Sequence, residues 1–302
     1  METNILLENG TNELEVLEFI IDGNFYGINV AKIREILPYH AVTPVPNSHP
    51  SIEGIFMPRD TMITVINLPK QLNLRESSYH KDDMMILTTF NNLDIAFHVH
   101  SVMGIRRISW ADIIKPDKTI NTNETGIATG IIKYDGRIII ILDFEKIVSD
   151  INPNTGLRLS DIDEMLDERT RNDSPIMIAD DSGLLSQLIS DSLHKAGYVN
   201  VIKNDNGQEA WDKLCAMKAE GNVLDRVKCI ITDIEMPKMD GHRLTYLIKK
   251  DDVLQKIPVV IFSSLINPEM RKKGEALGAD AQISKPEIGN LVKIIDGLIK
   301  ID

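Results

Sequence analysis

Apolar and polar positions alternate in two different ways along the 302 residues of this chain. From residue 175 onward, short apolar runs alternate with longer stretches of helical spacing. The runs predict strands over 176–180, 199–203, 229–233, 259–263 and 281–284, and the stretches predict helices over 183–196, 207–219, 241–250, 268–277 and from 287 onward. Because every strand is followed by a helix, we predict a doubly wound, flavodoxin-like α/β sheet of five parallel strands.

The first half of the chain reads mainly as short strands, predicted over 17–21, 25–30, 61–68, 84–90, 93–99, 130–134 and 137–142. Turn residues such as Asp135-Gly136 separate several of them, which is typical of hairpins. One early segment, 30–37, has its apolar residues at helical spacing and is predicted as a helix. Many short antiparallel strands are buried most readily in small barrels, so this half is predicted to be mainly β.

Between residues 149 and 174 the composition turns polar and charged. We therefore predict one domain over 1–149, a linker over 150–174 and a second domain over 175–302. The acidic stretch 161–168 is interpreted as a passive spacer, with a relay between the domains as the alternative.

The composition excludes several classes of protein. The net charge is −12 and both halves are acidic, while a nucleic-acid binder needs a concentrated basic surface. Short basic runs such as Arg106-Arg107 are interpreted as solvated faces. The two cysteines are too few for a disulfide framework or a zinc site. Neither a secretory signal nor a membrane-spanning stretch is visible, so residence in the cytoplasm is expected, without insertion into a membrane.

Five reactive side chains stand at the ends of the predicted parallel strands: Asp180, Asp181, Asp233, Ser263 and Lys285. Carboxyl ends of parallel strands meet at one edge of the sheet, so these groups are expected to lie together. There Asp180 and Asp181 would hold Mg²⁺, and Asp233 would attack an activated phosphoryl group. Ser263 would donate its hydroxyl to a phosphoryl oxygen, and Lys285 would neutralise its charge.

With these residues in this order, 175–302 resembles a receiver domain of the response-regulator family. The run 231–241 around Asp233 and the Lys285-Pro286 pair also carry this resemblance. The resemblance implies that Asp233 accepts a phosphoryl group from a phosphohistidine of a partner kinase. It also implies that the backbone carbonyl of Glu235 and the Asp233 carboxylate bind the metal. The chemical activity it implies is limited to self-phosphorylation and self-dephosphorylation, without enzymatic turnover. In one departure from the family, Gln282 stands where an aromatic residue is usual.

Two positions of the receiver-like half are expected to flank the path of a hydrolytic water, Glu235 and Leu265. We predict that the apolar Leu265 hinders this water and lengthens the lifetime of the phosphorylated state. Leu265→Glu is then expected to change the rate of dephosphorylation.

Residues 13–149 resemble the CheW-like coupling domain of bacterial chemotaxis. Each matching segment has low specificity by itself, but the order of the segments is specific. They are 25–30, 33–36, 52–54, 65–68, 130–132, 135–137 and 142–146. The departures are Asp60 in place of a glycine and Asn67 in place of an aspartate. The resemblance implies paired small SH3-like barrels without catalytic activity, which bridge the cytoplasmic tips of chemoreceptors and the histidine kinase CheA. Its position-matched contact residues are Ile33, Glu35, Gly54 and Arg59, with packing and a turn as the alternative roles of Ile33 and Gly54.

A CheW-like domain followed by a receiver resembles the arrangement of the CheV family. The resemblance implies a chemotaxis adaptor located at receptor arrays, which CheA phosphorylates on Asp233 for adaptation or as a phosphate sink. The alternative is a Mg²⁺-dependent phosphohydrolase with Asp233 as nucleophile and Glu235 as acid. A DNA-binding regulator is disfavoured, because no basic recognition helix is present.

Two histidines of the first half stand two residues apart on a predicted strand, His98 and His100. They share one face and could bind a metal. Because Phe97 and Val99 are expected to occupy the buried face and no third ligand is evident, both histidines are interpreted as solvent-facing.

Overall fold

The computed structural model describes residues 13–58, 61–78, 81–90, 93–116, 126–152, 171–266 and 268–299. These residues divide into two compact units, an N-terminal one up to residue 152 and a C-terminal one from residue 171. The stretch 161–168 lies outside the described residues, so its interpretation as spacer or relay stays a prediction, as do the predicted domain bounds. Among the described residues, no helix has the length and hydropathy needed to cross a bilayer.

The described part of the N-terminal unit consists mainly of strands. They are β1 Glu13–Ile21, β2 Asn24–Asn29, β3 Ile33–Pro38, β4 Ile52–Phe56, β5 Ile63–Asn67, β6 Met84–Phe90, β7 Leu93–Val99, β8 Ser101–Ser109, β9 Ile113–Ile114, β10 Ala128–Tyr134 and β11 Arg137–Leu142. Two helices accompany them, α1 Leu68–Gln71 and α2 Phe144–Ile151. The strands form a sheet of order β8-β1-β2-β11-β10-β9 and a second of order β3-β6-β7-β5-β4.

The two sheets share one apolar core and each has a smaller core of its own. In the shared core, Phe144 of α2 meets Phe19 of β1 and Phe97 of β7, so one helix packs against both sheets. A bridge between Thr43 and Ile55 joins the segment after β3 to β4, the opposite edge of the second sheet. The mainly β prediction is confirmed, although β11–β2 and β5–β7 pair parallel rather than antiparallel.

The helix predicted over 30–37 is wrong. A short 3-10 turn, Val30–Lys32, is followed directly by β3, whose Ile33 pairs with Thr88 of β6. Eight residues are too few for apolar spacing to separate a helix from a strand. The β-branched Ile33 and Ile36 suit a strand, and β6 supplies the backbone hydrogen bonds that decide the outcome.

One acidic residue of β1, Glu18, is fully buried among apolar neighbours. Arg106 Nε donates to its Oε2 over 3.0 Å, and Arg137 Nη2 lies 3.1 Å from its Oε1. Arg106 thus pairs with a buried carboxylate although 32% of its side chain remains exposed, while Arg107 is exposed as expected. Two guanidinium groups compensate the cost of burying this carboxylate.

The C-terminal unit follows the predicted alternation closely. Its strands are β12 Ile176–Ala179, β13 Val201–Asn204, β14 Cys229–Thr232, β15 Val259–Ser263 and β16 Ala281–Ser284. Its helices are α3 Gly183–Lys195, α4 Gly207–Ala219, α5 Val223–Arg226, α6 Gly241–Lys250, α7 Pro268–Leu277 and α8 Ile288–Leu298. All pairs in the order β13-β12-β14-β15-β16 are parallel, which confirms the doubly wound sheet.

Candidate functional site

The carboxyl ends of three strands of the parallel sheet bring together four of the predicted site residues. Asp180 and Asp181 follow β12, Asp233 follows the adjacent β14, and Lys285 follows β16. Carboxylate oxygens of the three aspartates lie within 4.8 Å of one another. Backbone bonds hold two of the acids in place, because Asp233 N donates to Ala179 O over 3.0 Å and Asp180 N donates to Asn204 O over 3.1 Å.

The ammonium group of Lys285 bridges two of these acids. Its Nζ donates to Asp233 Oδ2 over 2.6 Å and lies 3.7 Å from Asp180 Oδ2. Both carboxylates are almost completely buried, and the lysine side chain is only 13% exposed. The cluster therefore gathers three negative charges around one positive charge, and a cation or a proton would offset the remainder.

The crowding of these charges affects the pKa of Asp181. Although part of its side chain remains exposed, desolvation and then the charges of Asp233 and Asp180 raise its pKa from 3.8 to about 7. The ammonium of Lys285 opposes this shift but does not cancel it. Glu235 lies near enough for its charge to raise the same pKa.

The loop after Asp233 is built from close backbone contacts. Ile234 N donates to Asp233 Oδ1 over 2.6 Å, and Gly241 N closes the loop by donating to Ile234 O over 3.0 Å. Asp240 begins α6 as its N-cap, since its Oδ1 accepts from Arg243 N. The loop leaves Oδ2 of Asp233 directed at Lys285, which fixes the orientation of the carboxylate.

Ser263 ends β15, the neighbour of β14, and is fully buried. Its Oγ accepts a 3.4 Å hydrogen bond from Leu265 N. On β16, Gln282 Nε2 donates to Arg271 O over 2.7 Å, and its amide lies against Gly274 of α7, where any Cβ would overlap it. The aromatic position of the receiver family is thus occupied here by a side chain that ties β16 to α7.

Leu265 is buried in an apolar cluster with Ile234, Ile261 and Ile266. Leu265→Glu would place a carboxylate in this cluster and disturb the fold. A smaller apolar residue tests the role of the leucine without burying a charge. We expect Leu265→Ala to let water approach and to shorten the lifetime of phosphorylated protein about threefold or more, or ~0.7 kcal/mol of barrier. Release of radiolabelled phosphate measures this rate.

The matched control is Ile266→Ala, which opens a cavity in the same cluster one residue further along. An equal change of lifetime in both variants would contradict a specific role of Leu265.

The structure describes three of the four predicted contact residues of the N-terminal unit. Glu35 is exposed on β3, whereas Ile33 packs against the shared core. Gly54 is buried at φ 154°, and a Cβ there would overlap the carbonyl oxygen of Thr43. The packing alternative for Ile33 is therefore supported, whereas Gly54 lies within β4 at a register shift and not in a turn. Arg59 lies outside the described residues.

The interpretation of His98 as solvent-facing is wrong. Its ring is buried between two carboxylates, with Nδ1 3.0 Å from Glu53 Oε2 and Nε2 2.9 Å from Asp83 Oδ2. His100 is partly buried, and its Nδ1 accepts from Asp22 N. Alternation along a strand could not reveal this, because 95–99 are buried on both faces of β7.

Comparison with known families divides the chain in the same way as the structure. Residues 15–152 match the family described as CheW-like domain. Residues 176–296 match the family described as response regulator receiver domain. The first match begins within β1 and extends beyond β11, and the second contains the cluster of Asp180, Asp181, Asp233 and Lys285.

Several proteins resemble most of the chain. It is 32% identical over 291 residues to "Chemotaxis protein CheV3" of Helicobacter pylori, an alignment covering 91% of each chain. It is 30% identical over 298 residues to "Chemotaxis protein CheV2" of the same organism, covering 92% of each. Among solved structures, the scaffolding protein TtCheW from Thermoanaerobacter tengcongensis shares 25% identity, with a TM-score of 0.41, over 44% of this chain and 91% of its own.

Proposed function

The chain belongs to the CheV family, and from this premise we propose that it is a chemotaxis adaptor that couples chemoreceptors to the histidine kinase CheA and is regulated by phosphorylation of Asp233. The observation that carries the regulatory part is the contact of Lys285 with Asp233 inside a cluster of three carboxylates. The matches to CheW-like and receiver families support the coupling part.

In the proposed reaction, one carboxylate oxygen of Asp233 attacks the phosphorus of a phosphohistidine on the kinase. An O–P bond forms as the P–N bond breaks, and the electron pair of that bond leaves with the histidine nitrogen. Lys285 offsets the charge of the acyl phosphate, and Ser263 donates its hydroxyl to a phosphoryl oxygen. This is transfer to the protein itself and not turnover of a substrate.

The donor set of the cluster fits Mg²⁺. Its oxygen ligands are hard and anionic, and burial together with the neighbouring carboxylate charges raises the pKa of Asp181. We propose that Asp180, Asp181, Asp233 and the backbone carbonyl of Glu235 hold the ion. When bound, Mg²⁺ neutralises charge on the entering phosphoryl group.

Asp181 gives this proposal a pH-dependent test. Its folded-state pKa of about 7 lies above the ordinary 3.8, so the stability that its protonated form contributes is full at low pH and is lost as pH rises through about 7. Mg²⁺ replaces that proton, so we expect it to raise the Tm of the C-terminal unit more at pH 8 than at pH 6. Scanning calorimetry of the full chain measures the shift.

Asp181→Asn should raise the Tm at pH 8 without Mg²⁺ and remove most of the response to the ion. We expect a shift of a few degrees, since ~1 kcal/mol moves Tm by about 4 °C in a domain of this size. The control is Asp252→Asn, which removes an exposed carboxyl from the connection between α6 and the amino end of β15, away from the carboxyl-end cluster, and should leave both values unchanged. A Mg²⁺ response of equal size in Asp181→Asn would contradict the assignment.

For the coupling part, Glu35, exposed on β3, is the proposed contact among the described residues. Arg59, Ile33 and Gly54 are the other position-matched residues that the resemblance to CheW-like domains indicates. The experiment mixes the full chain with CheA and receptor-containing membranes and measures kinase autophosphorylation. We expect the chain to raise kinase activity and Glu35→Lys to reduce this effect by about 5-fold or more, a loss of ~1 kcal/mol.

Glu13→Lys reverses an equally exposed charge on β1 and serves as the control. Kinase activity that does not respond to the chain would contradict coupling while leaving phosphorylation of Asp233 to be measured separately. Location in the cytoplasm at receptor arrays follows from the same proposal. The phosphohydrolase alternative has no support in the comparisons, and both adaptation and a phosphate sink fit the proposed chemistry.

A further inference from the structure

One buried histidine in the coupling domain has a function still to be assigned. His98 on β7 is 1% exposed, and its two ring nitrogens face different carboxylates, Glu53 of β4 and Asp83 just before β6. A neutral imidazole has one N–H and one lone pair, so it can donate to only one of them. Only the imidazolium form donates to both while both carboxyls are ionised, so the pair of carboxylates favours the charged ring.

The charged ring joins segments that are distant in sequence. Tyr39, just after β3, lies against it with 4.5 Å between ring centroids, and its OH lies 3.4 Å from Glu53 Oε1. Tyr39 N also donates to Asp83 O over 2.9 Å. Four residues later, Thr43 and Ile55 exchange both backbone hydrogen bonds. His98 is thus the centre of the contacts that join the segment after β3 to β4 and close the second sheet.

We propose that His98 is a proton-dependent clasp that holds the segment 39–43 and β4 together when charged and releases them when it loses its proton. On release, one carboxylate would face the lone pair of a neutral ring in a buried site. That repulsion favours separation of β4 from 39–43, which would move Glu53, the neighbour of Gly54, and the exposed Met57 just after β4.

The charged and titratable groups that face His98 among the described residues are Glu53 from β4, Asp83 before β6, Tyr39 after β3 and His100 at the end of its own strand. Burial by itself lowers the pKa of His98, but the hydrogen bonds and charges of Glu53 and Asp83 outweigh it, so the pKa is raised above 6.5. Burial lowers the pKa of His100, so His100 loses its proton at a lower pH than His98.

The direction of the pH effect follows from the raised pKa of His98. A histidine whose folded-state pKa is raised stabilises the fold fully below its unfolded value of about 6.5, and this contribution is lost as pH rises through the folded-state pKa. The clasp is thus closed in mild acid and opens on the alkaline side. Its consequence for kinase coupling rests on the proposed function, whereas the opening itself does not.

The test uses the full chain in two measurements. Nitrogen-15 spectra of histidine-labelled protein should show both ring nitrogens of His98 protonated at pH 6.5. Hydrogen exchange, corrected for its intrinsic pH dependence, should accelerate about 5-fold or more over 39–56 as His98 loses its proton. Glu53→Gln removes one carboxylate and should move the midpoint of both transitions down by about one pH unit.

The control is His49→Gln, which removes an exposed imidazole from the same unit and should leave the midpoint unchanged. His98→Gln, which carries no charge at any pH, should exchange fast over 39–56 throughout. A neutral His98 at pH 6.5 would overturn the clasp, as would equal exchange over 39–56 below and above its midpoint. Loss of kinase coupling with an intact titration would count against the proposed function and not against the clasp.

Discussion

Asp233→Asn is expected to reduce phosphoryl transfer from phosphorylated CheA by about 10³-fold or more. The amide cannot supply the anionic oxygen that attacks phosphorus. The change also removes the negative charge of the Asp233 Oδ2 atom, which lies 2.6 Å from Lys285 Nζ in the natural chain. Because the change removes one of three crowded carboxylates, the fold of the C-terminal unit should survive. The measurement is radiolabel passed from the kinase to the full chain in Mg²⁺, with rates taken before label is lost to hydrolysis.

Asp240→Asn is a matched control in the same loop. Asp240 caps α6, and asparagine caps a helix equally well, so the fold and the acceptance of label should both be retained. Label on Asp233→Asn at the rate of the natural chain would mean that another carboxylate is the acceptor, and the proposed switch would be wrong. The same experiment separates transfer from the slower release that Leu265 is predicted to govern.

Gly241→Ala is expected to destabilise the C-terminal unit by about 3 kcal/mol or more, the largest effect on stability that we predict. Gly241 is the first residue of α6, and a Cβ there would overlap the carbonyl oxygen of Asp233 itself. To relieve this overlap, the loop that orients the carboxylate of Asp233, the proposed acceptor, would have to move. Urea unfolding of the full chain, followed by the tryptophan signal of Trp211 in α4 and by circular dichroism, measures the loss.

The matched control is Gly183→Ala. Gly183 is likewise the first residue of a helix, α3, that follows a strand with an acidic end, but an added Cβ meets nothing within 4 Å. Alanine has the higher helix propensity, so a gain of about 0.5–1 kcal/mol is expected. Equal losses of unfolding free energy in Gly183→Ala and Gly241→Ala would show that overlap with the Asp233 carbonyl is not the cause of the destabilisation.

The C-terminal unit was largely predictable because its information is local. Each buried parallel strand is a continuous apolar run, and each helix has its own spacing, so the order of elements leaves one topology. The edge at which Asp180, Asp233 and Lys285 meet follows from that topology alone. Their distances and the raised pKa of Asp181 do not, because they depend on side-chain directions within a few ångströms.

The N-terminal unit shows where local patterns fail. The segment 30–37 has helical spacing, yet it forms a turn and β3 because β6 lies beside it. Glu18 and His98 stand in strands where polar residues predict exposure, yet both are buried. Their partners come from distant segments, 88 residues away for Arg106 and 45 for Glu53, and no local window contains them.

The sequence by itself determined the alternation of the receiver-like unit, the mainly β character of the other unit and the acidic and basic groups that share one sheet edge. Periodicity and strand-end position carry this information, since both are properties of neighbours along the chain. Only the tertiary structure decided that Lys285 lies on Asp233, that Gln282 joins β16 to α7 and that a buried histidine bridges two carboxylates. Such contacts depend on which distant segments meet, and burial then makes charge and hydrogen bonding decisive.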